Sequence, residues 1–192
     1  MSKVLYNSRD KIQNSMVRLM KSVPYNDITV TMITGDAGIN RKTFYAYYSN
    51  KDELLVAMLY EMFNDLFSCF MYKKDASDVI PVDTRLLRDV RSFLEKVIYY
   101  EERLLVLITN ETSEFSISIA DQVVLSHYKD ISFLRDINGT IPGRFYLEII
   151  RNFFMSIIGA WIDSEEKSFD ESVDALVTLM KHSYLDMFCY VK

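Results

Sequence analysis

Apolar residues recur at helical spacing along almost the whole chain, and short polar segments separate the runs. Ile12, Met16, Leu19 and Met20 fall on one face and predict a first helix over Ser8–Lys21. The segment Ser22–Asp27, with Pro24, ends it. Thr29 is placed as the N-cap of a second helix, because its hydroxyl can accept from a first-turn N–H. Ile33 and Ala37 then face inward, and Gly38 stands where a helix closes in a left-handed residue. Ile39 is expected to plug the core, and Asn40 to cap a third helix, Arg41–Tyr48. Asn50 with Glu53 reads as a capping-box-like start to a fourth, Lys51–Met71. Leu54, Leu55, Met58, Leu59, Met62, Phe63, Leu66 and Phe70 give that helix one wide apolar stripe.

Beyond it, Lys73–Asp83 reads as a linker, with Asp75, Ser77, Asp78 and Pro81 marking it. Five further helical stretches are expected. They are Thr84–Tyr100, a buried Glu101–Asn110 (Leu104, Leu105, Val106, Leu107, Ile108), Phe115–Asp136, Arg144–Ser164 and Asp170–Tyr190. Ile137–Gly143 is a loop. The last two stretches are apolar beyond a single stripe. Excess apolar width usually meets more protein, so two such helices from each of two subunits are expected to form a four-helix bundle.

The first segments form the informative unit. A short helix, a glycine-marked turn and a second short helix rich in Arg, Lys, Thr and Tyr suit a DNA major groove. Composition agrees with long helices: 49% of the 192 residues are apolar, while Gly (5) and Pro (3) are scarce. The net charge of −5 opposes a DNA partner until its distribution is read. Residues 1–51 hold eight Lys/Arg against three acids, and residues 52–192 hold fourteen against twenty-four. A basic head on an acidic body turns the head toward phosphate.

Other chemistries find little support. Cys69 and Cys189 are far apart and in no metal spacing, so no disulfide framework, zinc site or cofactor is expected. His127 and His182 sit in no triad or metal spacing. Glu101-Glu102 and Glu165-Glu166 are adjacent pairs at expected helix ends, whose members point to different faces. No enzyme is therefore expected. Met1–Lys21 has no apolar block of a signal peptide, and no run reaches the length of a membrane span, so a cytoplasmic setting is expected.

The ordered pattern of Ile12–Met20, Tyr25-Asn26-Asp27-Ile28-Thr29-Val30, Ile33, Ala37-Gly38-Ile39, Thr43–Tyr48 and Asn50-Lys51-Asp52-Glu53-Leu54-Leu55 resembles the DNA-binding domain of tetracycline-repressor (TetR/AcrR)-like regulators. The likeness covers about residues 8–58. Gly159-Ala160-Trp161, an acidic loop and a final helix are similar to one branch of the C-terminal domains. The resemblance implies an all-α fold: a three-helix helix-turn-helix domain over 1–50, a linking helix over 51–71, and a regulatory and dimerisation domain over 72–192. It implies groove contacts from Arg41, Lys42, Thr43 and Tyr45, a backbone-side position for Tyr47, a phosphate contact for Lys51 and a supporting contact for Thr31. Phe44 and Tyr48 turn inward and are expected in the core. Gly35 and Ala46 depart from what relatives often carry.

The function that follows is a homodimeric regulator, expected to repress, on an inverted-repeat operator. The dimer would use residues 144–164 and 170–190. A small apolar effector is implied for the C-terminal part, where Phe93, Tyr99, Tyr100, Phe115, Tyr128, Phe133, Phe145, Tyr146 and Phe153 serve a core as readily as a pocket. The alternative is a co-regulator that keeps the fold and acts by binding another regulator.

Overall fold

A computed structural model describes residues 2–70, 82–109, 112–128, 143–165 and 168–183. All regular structure among them is helical. The elements are α1 (Ser2–Met20), a 3-10 turn (Tyr25–Asp27), α2 (Val30–Ala37), α3 (Arg41–Tyr45), α4 (Lys51–Ser68), α5 (Val82–Thr109), α6 (Ser113–Tyr128), α7 (Gly143–Asp163) and α8 (Phe169–Ser183). They group into two compact units. One comprises Met1–Met62 with Glu102–Ile119, and the other Phe63–Glu101 with Ala120–Lys192.

Local chemistry sets the boundaries in the first unit. The Thr29 hydroxyl accepts from the Met32 N–H at 3.3 Å and opens α2. Gly38 closes α2 at φ 64°, a left-handed value that a side chain would strain. The Asn40 side-chain oxygen accepts from the Thr43 N–H at 2.7 Å and opens α3. At the head of α4 the Glu53 N–H donates to Asn50 Oδ1 at 2.8 Å, and the Glu53 carboxylate reaches back to the Ser49 N–H at 2.7 Å. The bond from the Ser49 N–H holds the Glu53 carboxyl below the usual carboxylate range.

Ile12, Met16, Val17, Met20, Ile28, Ile33, Phe44, Leu54 and Met58 bury their side chains together as the core of this unit. Ser15, fully buried on α1, donates to the Ile33 carbonyl at 2.9 Å and ties α1 to α2. In the second unit Phe67, Phe70, Phe93 and Phe154 form a ring cluster with centroids 4.9–5.4 Å apart. Beside it Lys96 pairs with the Asp65 carboxylate at 2.8 Å, and the Tyr100 hydroxyl donates to the same carboxylate at 3.2 Å.

Four sequence expectations change. The stretches Thr84–Tyr100 and Glu101–Asn110 are one helix, α5, because Glu101-Glu102 supplies charge but neither Gly nor Pro to stop the backbone. That pair therefore lies inside a helix, and Leu105, expected buried, is 46% exposed. Val82 and Asp83, read as linker, begin α5. The third helix ends at Tyr45, and Ala46–Tyr47 continue it only as a turn. The rest of the expected linker, the Ile137–Pro142 loop, the parts of the sixth and last helices beyond Tyr128 and Ser183, Cys189, and the side chains of His127 and His182 lie outside the described residues.

Candidate nucleic-acid interface

α2 packs on α1 and on α3, which is the arrangement of a helix-turn-helix unit. α3 is only five residues long, so burial on one side must hold it. Phe44 supplies that burial: it is fully enclosed, with Tyr48 (5% exposed) at 5.9 Å between ring centroids. The opposite side carries Arg41, Lys42 and Tyr45, all exposed. Tyr45 stands edge-on to Phe44 at 5.5 Å and 90°. Its hydroxyl accepts from Arg41 Nη2 at 3.2 Å. Thr43 is half-buried, and its hydroxyl donates to Asn40 Oδ1 at 3.0 Å. Thr31 is exposed on the neighbouring α2, and Tyr47 is half-buried in the turn after α3.

Lys51 differs from the rest. Its ammonium donates to the carbonyl oxygens of Tyr25 (2.7 Å) and Asn26 (2.9 Å) and lies 4.6 Å from the Tyr25 ring centroid. The Tyr25 hydroxyl in turn donates to the Asp52 carboxylate. Burial, with Asp52 adding to it, pushes the Tyr25 hydroxyl above its ordinary pKa. The head of α4 and the α1–α2 corner are thus clasped by two contacts running in opposite directions.

Sequence reasoning passed over a second polar cluster. Tyr48 OH accepts from Arg9 Nε and Gln13 Nε2, both at 3.3 Å. The Glu61 carboxylate accepts from Arg9 Nη2 at 2.9 Å and Gln13 Nε2 at 3.1 Å. The Tyr48 hydroxyl, ahead of Glu61, raises the Arg9 guanidinium above its ordinary value. Arg103 on α5 donates to Gln13 Oε1 at 3.3 Å and Asn14 Oδ1 at 3.0 Å. Gln13 is 3% exposed and fully engaged, so it fixes the turn after α3 against α1. The signal was present: Arg9, Gln13, Met16 and Met20 share one ridge of α1, and a polar pair on an apolar ridge points to a buried network.

Comparison with known proteins fits this unit. The family model of bacterial regulatory proteins of the tetR family matches residues 16–58, from mid-α1 into α4. Over these residues the chain carries a DNA-binding domain of the tetR type. Members of this family are DNA-binding transcription regulators. A curated relative, the HTH-type dhaKLM operon transcriptional activator DhaS of Lactococcus lactis subsp. lactis, is 32% identical over 114 residues. That match takes in 58% of this chain and 57% of the relative, so the chain spans little more than half of that relative's length. The fold of the putative tetR family transcription regulator from Shewanella sp. PV-4 is similar at a TM-score of 0.63 and 12% identity, covering 90% of this chain and 95% of that one. The fatty acid degradation regulator FadR from Bacillus halodurans is similar at 0.61 and 16%, covering 92% and 96%.

The aromatic residues of the second part divide. Phe93 and Phe153 are buried, and Phe93 belongs to the ring cluster. Tyr99 (76%) and Phe115 (42%) are exposed. A groove of about 360 Å³ runs between Trp161 and Ile157 of α7 and Leu176 and Leu179 of α8. Cys69 is partly buried beside Ser92 at 3.6 Å, and burial pushes its thiol up. No helix among the described residues is long and apolar enough to cross a membrane.

Proposed function

We propose that this chain is a sequence-specific transcription regulator that binds an inverted-repeat operator as a homodimer, with its DNA-reading domain over residues 1–50 and α4 as the link to the C-terminal part. One observation carries the reading. α3 presents Arg41, Lys42 and Tyr45 outward on a helix whose other side is fixed by the enclosed Phe44. A rigid basic and aromatic edge of this size enters a major groove, where Arg can pair bidentately with guanine. Thr31, Thr43 and Tyr47 flank it as further contacts, and Lys51 has one ammonium proton left for a phosphate.

Two such heads read two half-sites roughly 34 Å apart or wider. The partner copy covers the α7–α8 groove, where Leu179 is 46% exposed and Ile157 and Leu176 are half-buried. A small apolar effector regulates binding if it favours one state of the dimer over the other, since equal affinity for both shifts nothing. Repression is the simpler outcome, because a dimer on an operator blocks access. The Lactococcus relative is named as an activator, which favours activation as the second reading.

A mobility-shift series with the chain's own promoter region tests this. Specific binding should weaken steeply with salt, the logarithmic slope being about −0.9 for each phosphate neutralised. Arg41→Ala with Lys42→Ala should abolish the shift while leaving the fold intact. A stable complex with another regulator, and no specific shift at any salt, would refute the proposal in favour of a co-regulator.

A further inference from the structure

Arg41 and Tyr45 are four residues apart and lie on the same exposed side of α3. The Tyr45 ring stands edge-on to Phe44, which is fully enclosed. That contact roots an exposed side chain in the core. Its hydroxyl accepts from Arg41 Nη2 at 3.2 Å, and the Arg41 guanidinium carbon lies 5.8 Å from the Tyr45 ring centroid. A free surface arginine samples many rotamers and must give them up on binding. Here one is held by a hydrogen bond and a ring contact from a neighbour that itself rests on the core.

The donors still add up for recognition. Arginine has five N–H groups, and Tyr45 takes one. The second Nη2 proton and both Nη1 protons stay available on the end of the fork. Two of these match the O6 and N7 acceptors of a guanine in the major groove. Adenine offers N7 but places a donor where guanine has O6, so the same fork meets a repulsive group there. An arginine held in this way should therefore discriminate between purines.

We infer that Tyr45 is the positioning residue for Arg41 and that the pair reads one guanine in each half-site. This deepens the proposal that α3 binds DNA and rests on it. In this role Tyr45 acts through the guanidinium. Lys42 beside it has no acceptor and no paired ring among the described residues, and it supplies charge without base choice.

Selection from a randomised duplex library with the full chain gives the motif, and two variants and one modified base give the roles. The wild-type chain should select a guanine at one fixed position of each half-site. Replacing that guanine by 7-deazaguanine removes the N7 acceptor and should weaken wild-type binding on the order of tenfold. Arg41→Ala should bind both duplexes alike. Tyr45→Phe keeps the ring and the contact with Phe44 but removes the acceptor for Nη2. It should lose about threefold or more of the discrimination between the two duplexes, with the salt slope unchanged. A Tyr45→Phe chain with full discrimination would overturn the positioning role. So would equal weakening on both duplexes with a shallower salt slope, which marks a phosphate contact. A wild-type chain that selects no motif would overturn the DNA-binding reading itself, so the two failures are distinguishable.

Discussion

Replacing Lys51 by Met separates a clasp from a phosphate contact. Met keeps much of the length and apolar stem of the side chain but removes two charge-assisted hydrogen bonds, at 2.7 and 2.9 Å, and the cation over the Tyr25 ring. Hydrogen bonds to charged groups contribute about 1.5–3 kcal/mol each when well buried. Lys51 is only half-buried, and water can reach the Asn26 carbonyl once the ammonium is gone. Solvent screening and that replacement leave a net loss of about 1–2 kcal/mol for the pair together. For a chain of this size each kcal/mol lowers the melting temperature by about 2–4 °C, so Lys51→Met should melt about 2–8 °C below wild type. Circular dichroism melts on the free protein read this directly. The operator salt slope should change by less than about one unit, since the carbonyls hold two of the three ammonium protons. A melting temperature within about 1 °C of wild type, whatever the slope, would refute the clasp.

Two glycines at α2 should respond in opposite directions. Gly35 is helical, and the space where an alanine methyl would sit is open, so Gly35→Ala should stabilise by about 1 kcal/mol in urea unfolding. Gly38 has equal space but a φ of 64°, so Gly38→Ala should destabilise by about 1–2 kcal/mol in the same assay. The Asp36 carboxyl is held below its ordinary value by Arg18, which donates at 2.6 and 3.0 Å, and then by Ser15. Its contribution is present above the ordinary carboxylate pKa and is lost as pH falls through the lowered one. Asp36→Asn should therefore narrow the stability gap to wild type below about pH 4, and the gap near neutrality should stay within about 1 kcal/mol for so exposed a pair. Leu176→Asp with Leu179→Asp should leave helicity unchanged and yield a monomer in light scattering, because two carboxylates would then face an apolar partner surface.

The local grammar of the first unit was open to reading. Thr29, Gly38, Asn40, Asn50 and Glu53 each act on residues within four positions, so their roles stand in the sequence. The stripe of α4 was legible for the same reason: seven of its expected positions are buried on the helix, and the eighth, Phe70, is buried in the turn after it, since α4 ends at Ser68 and not at the expected Met71. What escaped was long-range or depended on the absence of a stop. The Lys51 clasp joins residues 25 and 26 positions apart, and the Arg103 bonds to Gln13 and Asn14 join residues about ninety apart. Nothing in a helical period announces either. The continuity of α5 was hidden by two charged residues that looked like an end, although charge alone does not break a backbone. The core of the reading unit, Phe44 and Tyr48, followed from spacing, whereas the Arg41–Tyr45 bond needed coordinates because i, i+4 neighbours touch in only some rotamers.

In the proposed complex α3 enters the groove twice, once from each copy, on one face of the duplex. Hydroxyl-radical footprinting of a selected operator measures this most directly. Two protected patches related by two-fold symmetry are expected, with centres roughly 34 Å or more apart and both lost in Arg41→Ala with Lys42→Ala. A single unbroken protection that survives those substitutions would contradict it.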